Sequence, residues 1–131
     1  MLFRAYCATC VGLEVIPVVV EVSVQPGVGI FLVGLPDSAV KESLLRVTTA
    51  LQSCGYRVPG RKVVINLAPA NIRKEGSGYD VAIALGLLAA SGQISPPDIQ
   101  DFLIMGELAL AGSLRGVPGV RPVAPQGDAT R

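Results

Sequence analysis

The sequence predicts an α+β domain in which helices cover one face of a mixed or antiparallel β-sheet. The predicted elements follow the order strands, helix, strand, helix, strands, which is typical of this class. A length of 131 residues suits one domain with a continuous core and is short for two. Half of the residues are apolar and 16% are charged, a composition that indicates a folded chain and not a disordered one.

A β-hairpin is expected over residues 4–24, followed by a short strand over Ile30–Val33. Valine occupies every second position from 18 to 24, as in a strand with one buried face. Gly12 interrupts the Val-rich and Ile-rich run, and a Pro-Gly pair separates the hairpin from the next apolar run. The beginning of the chain therefore predicts three strands.

The first helix is expected to begin at Asp37 or Ser38, either of which can cap it, and to end at Gly55. Apolar residues recur between these limits at steps of three and four, so one face is expected in the core. Charged residues on the opposite face either give solubility or mark an interface. They are Lys41, Glu42 and Arg46.

A second helix is expected from Asp80, as its cap, to Ala90. It is apolar on nearly every side and is followed by a glycine, which indicates a helix buried in the core. A strand over residues 62–67 precedes it, and a polar loop over residues 71–79 joins the two. These elements complete the predicted centre of the domain.

Further strands are expected over residues 102–105 and 108–110, with a turn that leads into a last short strand over 114–115. Pro, Gly, Gln and Asp then dilute the apolar pattern. The domain is therefore expected to span residues 1–122, and residues 123–131 are expected to form a disordered or truncated tail.

Composition limits the function classes that this chain can serve. It has no histidine, which excludes Ser-His-Asp and Cys-His nucleophiles and every metal site that uses histidine. The three cysteines are expected to be reduced thiols, and the Cys7 and Cys10 pair is expected to act as small apolar residues. No apolar run is long enough to span a membrane and no secretory signal is present, so a cytoplasmic location is expected.

Basic residues cluster around the strand over residues 62–67 and its loops. They predict a cationic edge that can contact the phosphates of DNA. The alternative is an ordinary solvated surface, because aromatic stacking partners are few and Glu75 interrupts the run. The candidate DNA-contacting residues are Arg57, Arg61, Lys62, Arg73 and Lys74. No catalytic, cofactor-binding or metal-binding residue is predicted.

Three stretches resemble the magnesium-chelatase-like AAA+ ATPases of the ComM/YifB type. They are VGLPDSAVKES at 33–43, INLAPANIRKEG at 65–76 and GELALAGSLR at 106–115. The resemblance implies an α+β sandwich similar to the Lon protease domain and to ribosomal S5 domain 2. It also implies a non-catalytic accessory domain of a ring-forming ATPase that remodels DNA, with branch migration as one such activity.

The same resemblance implies that ATP and magnesium bind elsewhere in the parent protein. Phosphate cradling by a P-loop needs Gly-x-x-x-x-Gly-Lys followed by Ser or Thr, and the sequence contains no such string. The expected partners are the AAA+ module of the same parent, other subunits of the ring and DNA, but not a membrane.

Two other function classes stay open alongside the accessory domain. One is a degenerate Lon-like serine peptidase or hydrolase that uses Ser77 or Lys74. Aligned with the Lon pattern, however, the nucleophile position is Gly78 and the general-base position is Arg121, which stays protonated, so the peptidase site is expected to be absent. The other class is a purely structural oligomerisation module.

Overall fold

The computed structural model of the chain describes residues 2–76, 78–96 and 102–115. Its main sheet has four strands in the order β1-β2-β4-β3. Neighbouring strands are antiparallel except β3 and β4, which are parallel and are joined by a helix. The strands are β1 (Leu2–Val11), β2 (Glu14–Gln25), β3 (Ile30–Val33) and β4 (Lys62–Ala68). The predicted α+β class, with helices packed on a mixed sheet, is confirmed.

The predicted hairpin is formed by β1 and β2, whose register runs from Leu2 opposite Ser23 to Val11 opposite Glu14. The alternation in the sequence places Val18, Val20 and Val22 on the inner face of the sheet, where all three are fully buried. The turn between the strands is exposed. The two-residue period of the valines therefore identified the buried face correctly.

The first helix, α1, spans Ser38–Ser53, close to the predicted limits. Asp37 is its N-cap, as predicted, and one of its carboxylate oxygens accepts a hydrogen bond from the backbone N–H of Val40 at 2.8 Å. Val40 and Val47 are fully buried on the core side. The helix connects β3 to β4, as parallel neighbours require.

The second helix, α2, spans Asp80–Ala90, and all of its residues are buried. It lies between the inner face of the sheet and α1, which confirms the predicted core helix. Gly86 allows α2 to approach β2 closely, because a Cβ atom there would lie 3.0 Å from the Cβ of Val22. No helix in the described part of the chain is long and apolar enough to cross a membrane.

The strands predicted beyond α2 are shorter in the structure than the sequence indicated. The segment after residue 101 pairs with β1 by one bridge, Tyr6 with Leu103, and the N–H of Ile104 donates to the carbonyl of Tyr6 at 2.7 Å. The chain then turns away, because the N–H of Gly106 donates to the carbonyl of Gly78. A separate pair follows, β5 (Glu107–Leu108) and β6 (Leu114–Arg115). The predicted tail at 123–131 lies outside the described residues.

The face of the sheet opposite α2, called here the outer face, carries a polar row across three strands. Arg4 on β1 pairs with Glu21 on β2 at 2.9 Å, and the side-chain amide of Asn66 on β4 donates to the same carboxylate at 3.0 Å. The hydrogen bond from Arg4, followed by that from Asn66, lowers the pKa of Glu21 below its ordinary value of 4.5. This row therefore stabilises the fold only while Glu21 is ionised.

Neutralising Glu21 is expected to reduce the acid sensitivity of the fold. The contribution of Glu21 is fully present above its ordinary pKa and is lost as the pH falls through its lowered folded-state pKa. Since half of the Arg4 side chain is exposed, the effect should stay below about 1 kcal/mol. Urea unfolding from about pH 6 to about pH 3 should show a shallower loss of stability for Glu21→Gln than for the wild type. Glu14→Gln, at the exposed start of β2, is the control, and an equal flattening there would contradict the assignment.

Candidate functional site

Two of the predicted basic residues, Arg57 and Arg61, flank an open cleft at the end of the sheet where β4 begins. The cleft has a volume of about 470 Å³. Residues 57–61 form one wall, the C-terminal end of α2 forms the other, and Val24 lies between them. Both arginines are exposed, and neither forms an ion pair with any other residue that the structure describes. We call this feature the Arg57–Arg61 cleft.

The side chain of Gln93 fixes the wall that carries Arg57. Its amide oxygen accepts a hydrogen bond from the N–H of Arg57 at 3.0 Å, and its amide nitrogen donates to the carbonyl of Arg57 at 2.7 Å. The same nitrogen donates to the hydroxyl of Ser91 at 3.0 Å. The loop over residues 57–61 is therefore tied to the end of α2 through the backbone, which leaves the guanidinium of Arg57 available.

Lys62 lies on the outer face of the sheet, away from the cleft. Val63 is buried on the inner face, and successive strand residues point to opposite faces. The ammonium of Lys62 lies 5.6 Å from the centre of the exposed Phe31 ring. Lys62 is thus close to Arg61 in sequence but belongs to a different surface.

Arg73 and Lys74 lie beyond the opposite end of β4, so the five predicted residues do not form one edge. The seven residues of β4 separate the two ends by about 20 Å at the usual rise of a strand. Arg73 is exposed. Lys74 is fully buried and its ammonium donates to the carbonyl of Pro69, so the expectation that it contacts phosphate is corrected. Burial lowers the pKa of Lys74.

The positions that matter for a Lon-like peptidase are described only in part. Gly78, at the predicted nucleophile position, is buried, and its carbonyl accepts a hydrogen bond from the N–H of Gly106 at 3.0 Å. It offers no side chain for nucleophilic attack. Ser77 and Arg121 lie outside the described residues.

The pleat of the sheet places the side chains of Cys7 and Cys10 on opposite faces. Cys7 is buried on the inner face and donates to the carbonyl of Ile104 at 2.9 Å, and burial raises its pKa. Cys10 is exposed, as is Cys54 on another element, so the expected buried pair holds only for Cys7. Within the described ranges, no three Cys, Asp or Glu side chains lie close enough together to hold a metal ion.

A buried polar cluster that was not predicted joins α1, α2 and β5. Asp80 is fully buried, and one of its oxygens accepts a hydrogen bond from the hydroxyl of Ser43. Arg46 donates to both oxygens of Asp80, at 2.8 and 3.1 Å, and the N–H of Leu108 donates to one of them at 3.0 Å. The hydrogen bond to Asp80 raises the pKa of Arg46.

This cluster corrects two predictions. Asp80 was expected to cap α2, but the N-cap residue is Tyr79, and Asp80 is the first residue of the helix with its carboxylate directed to α1 and β5. Arg46 was expected on the exposed side of α1, but its side chain is 23% exposed and paired. Neither could be recognised from the sequence, since an arginine within a helix and an aspartate at a helix start are also typical of surfaces.

A sequence model of the family described as subunit ChlI of Mg-chelatase matches residues 20–130. The chain belongs to this ChlI family. Relatives of the ChlI-family chain include the uncharacterized protein YifB of Escherichia coli, 48% identical over 109 residues that make up 82% of this chain and 22% of YifB. The competence protein ComM of Haemophilus influenzae is 42% identical over 118 residues, 89% of this chain and 23% of ComM. The predicted ComM/YifB resemblance is confirmed, and the chain spans under a quarter of the length of these relatives.

The first two ComM/YifB-like stretches of the ChlI-family chain meet in the structure at the end of the sheet opposite the Arg57–Arg61 cleft, and the third is joined to the start of α2. The N–H of Asp37, in the first stretch, donates to the carbonyl of Lys74 in the second at 2.9 Å. The N–H of Lys74 donates to the carbonyl of Leu35 at 2.9 Å. Leu108, in the third stretch, bonds to Asp80. In this chain the stretches hold the start of α1, the loop after β4 and the start of α2 in place.

Proposed function

We propose that this chain is a non-catalytic accessory domain of a magnesium-chelatase-like AAA+ ATPase that remodels DNA, with a role in DNA engagement or ring assembly in the cytoplasm. Membership of the ChlI family and similarity to a protein named for competence support the proposal. Because these 131 residues contain no P-loop string, we propose that ATP and magnesium bind in another part of the parent protein.

One observation carries the DNA part of the proposal, namely the pair of exposed arginines at the Arg57–Arg61 cleft. Both lack an acidic partner among the residues that the structure describes. An unpaired guanidinium can form bidentate, charge-assisted hydrogen bonds to a phosphate. The net charge of the chain is only +1, so local placement of these cations, and not the overall field, would direct a phosphate to the domain.

The proposal predicts salt-sensitive DNA binding by the full 131-residue chain. Fluorescence anisotropy of labelled single-stranded and forked DNA should show binding at low salt. The logarithm of the association constant should fall linearly with the logarithm of the salt concentration, by about 0.7 for each phosphate contacted on a single strand. A lack of binding at low salt would remove DNA engagement from the function and leave the assembly role.

The outer face of the sheet favours the assembly role as a second candidate. Its apolar residues Phe31 and Val33 are each nearly half exposed, on the strand that forms one edge of the sheet. Among the described residues no helix covers this face. Light scattering on the parent protein should show loss of the ring for Val33→Lys if this face is a subunit interface, and an unchanged ring would exclude it.

A further inference from the structure

We propose that the Arg57–Arg61 cleft binds one nucleotide unit of a single-stranded nucleic acid, with its phosphate held between the two arginines. The inference rests on the DNA engagement proposed above and specifies the site and the form of the ligand. Three features of the cleft support this inference, namely its charge, its fixed wall and its shape.

The charge of the cleft suits one phosphate diester. Arg57 and Arg61 lie at the two ends of one wall, and neither has an ion-pair partner in the described ranges. The neutral polar side chains of Ser91 and Gln93 also line the cleft, and none of the described residues that line it is acidic. An anion that enters the cleft therefore meets cations without displacing a carboxylate from the described part of the lining.

The fixed wall lowers the cost of binding. The side chain of Gln93 accepts a hydrogen bond from the N–H of Arg57 and donates one to its carbonyl, so the backbone below the guanidinium is positioned before a ligand arrives. Ser91 in turn holds the amide of Gln93. A preorganised contact loses less conformational entropy on binding than a loop that must first become ordered.

The shape of the cleft favours a single strand. Its volume of about 470 Å³ lies within the range of small-ligand sites and is sufficient for one nucleotide. Val24, Val58, Pro59 and Ala90 give it an apolar lining against which a sugar or a base can pack. A single strand can turn one unit into such a concavity, whereas the bases of a duplex stay stacked inside the helix.

Gly60 provides a way to close the cleft without changing its charge. It lines the cleft, and a Cβ atom there would have no neighbour within 4 Å. Gly60→Leu should therefore fold normally and occupy the space of the ligand. Arg57→Glu with Arg61→Glu removes the charge instead. Lys41→Glu with Gln52→Glu and Asn71→Asp makes the same change of charge at exposed positions outside the cleft.

The test is anisotropy of labelled oligothymidylate with the full chain and these three variants, after circular dichroism has shown that each is folded. We expect the Arg57/Arg61 variant to lose at least about tenfold in affinity and to lower the salt slope by about 0.7, for the one phosphate held between the arginines. Gly60→Leu should weaken binding about tenfold with less change in the slope. The Lys41/Gln52/Asn71 variant should bind nearly as well as the wild type.

Other outcomes separate this inference from the proposed function. If the wild type binds and the Arg57/Arg61 variant is no weaker than the Lys41/Gln52/Asn71 variant, the cleft assignment is wrong while DNA engagement stands. If the wild type binds no DNA at low salt, DNA engagement fails and the inference fails with it. Equal sensitivity of duplex binding to Gly60→Leu would overturn the single-strand assignment. Binding of ATP or inorganic phosphate in calorimetry, without binding of oligothymidylate, would replace the nucleic acid by a free phosphate compound.

Discussion

Asp80→Ala is expected to lower the free energy of unfolding by about 3 kcal/mol. The carboxylate is fully buried and accepts four hydrogen bonds, two from Arg46 and one each from Ser43 and Leu108. Its removal leaves the hydroxyl of Ser43 and the N–H of Leu108 unpaired in the interior. The guanidinium of Arg46, which is partly exposed, can turn to solvent and avoid part of the cost.

Urea unfolding measures this loss, with an unchanged slope showing that both variants unfold from comparable folded states. Glu42→Ala is the matched control, because Glu42 is the other carboxylate paired with Arg46, at 3.8 Å, and its side chain is 73% exposed. That variant should lose at most about 0.5 kcal/mol. Similar losses for Asp80→Ala and Glu42→Ala would show that the buried cluster does not hold the two helices together.

Gly34→Ala is expected to destabilise the domain by roughly 2–6 kcal/mol, as the sum of a backbone term and a packing term. Gly34 follows β3 with φ at +107°, in a region that residues with a Cβ atom rarely adopt. An added Cβ atom would also overlap the backbone of Leu67 on β4, with the nitrogen and the carbonyl carbon each at 2.9 Å. Backbone in a central strand cannot move aside as a side chain can.

Gly55→Ala separates the two terms. Gly55 has φ at +87°, but a Cβ atom there would have no neighbour within 4 Å. The free energy of unfolding of Gly55→Ala should therefore fall only by the backbone term, about 1–2 kcal/mol. Thermal and urea unfolding of both variants should rank Gly34→Ala as clearly the more damaging. Equal losses would mean that the close approach of β3 to β4 adds nothing to the cost.

The sequence predicted best the elements that local pattern determines. The alternating valines of β2 and the Asp37 cap of α1 depend on neighbours within a few residues, and both are confirmed. Asp80 and Lys74 were misjudged because their partners are distant in sequence or belong to the backbone. The residues next to Asp80 in the sequence do not indicate that it bonds to Arg46, which lies 34 residues earlier.

The candidate site was predicted in composition but not in arrangement. Arg57 and Arg61 are only four residues apart and line the same cleft. Arg73 lies beyond the opposite end of β4, which separates it from them. The sequence did not indicate the role of Gln93, because glutamine is common in loops that follow a helix. Its role depends on the backbone of Arg57, 36 residues earlier. Closeness in the sequence therefore predicts that basic residues lie together in the fold only where no helix or strand separates them.

The pairing of the 103–104 segment with β1 has a consequence for synthesis on the ribosome. The carbonyl of Tyr6 and the thiol of Cys7 find their partners on Ile104, which is translated 97 residues after Cys7. At a typical elongation rate this interval lasts about 5–20 s, long after the hairpin itself can form. Throughout that interval the nascent hairpin presents an unpaired strand edge, to which chaperones or other nascent chains can bind.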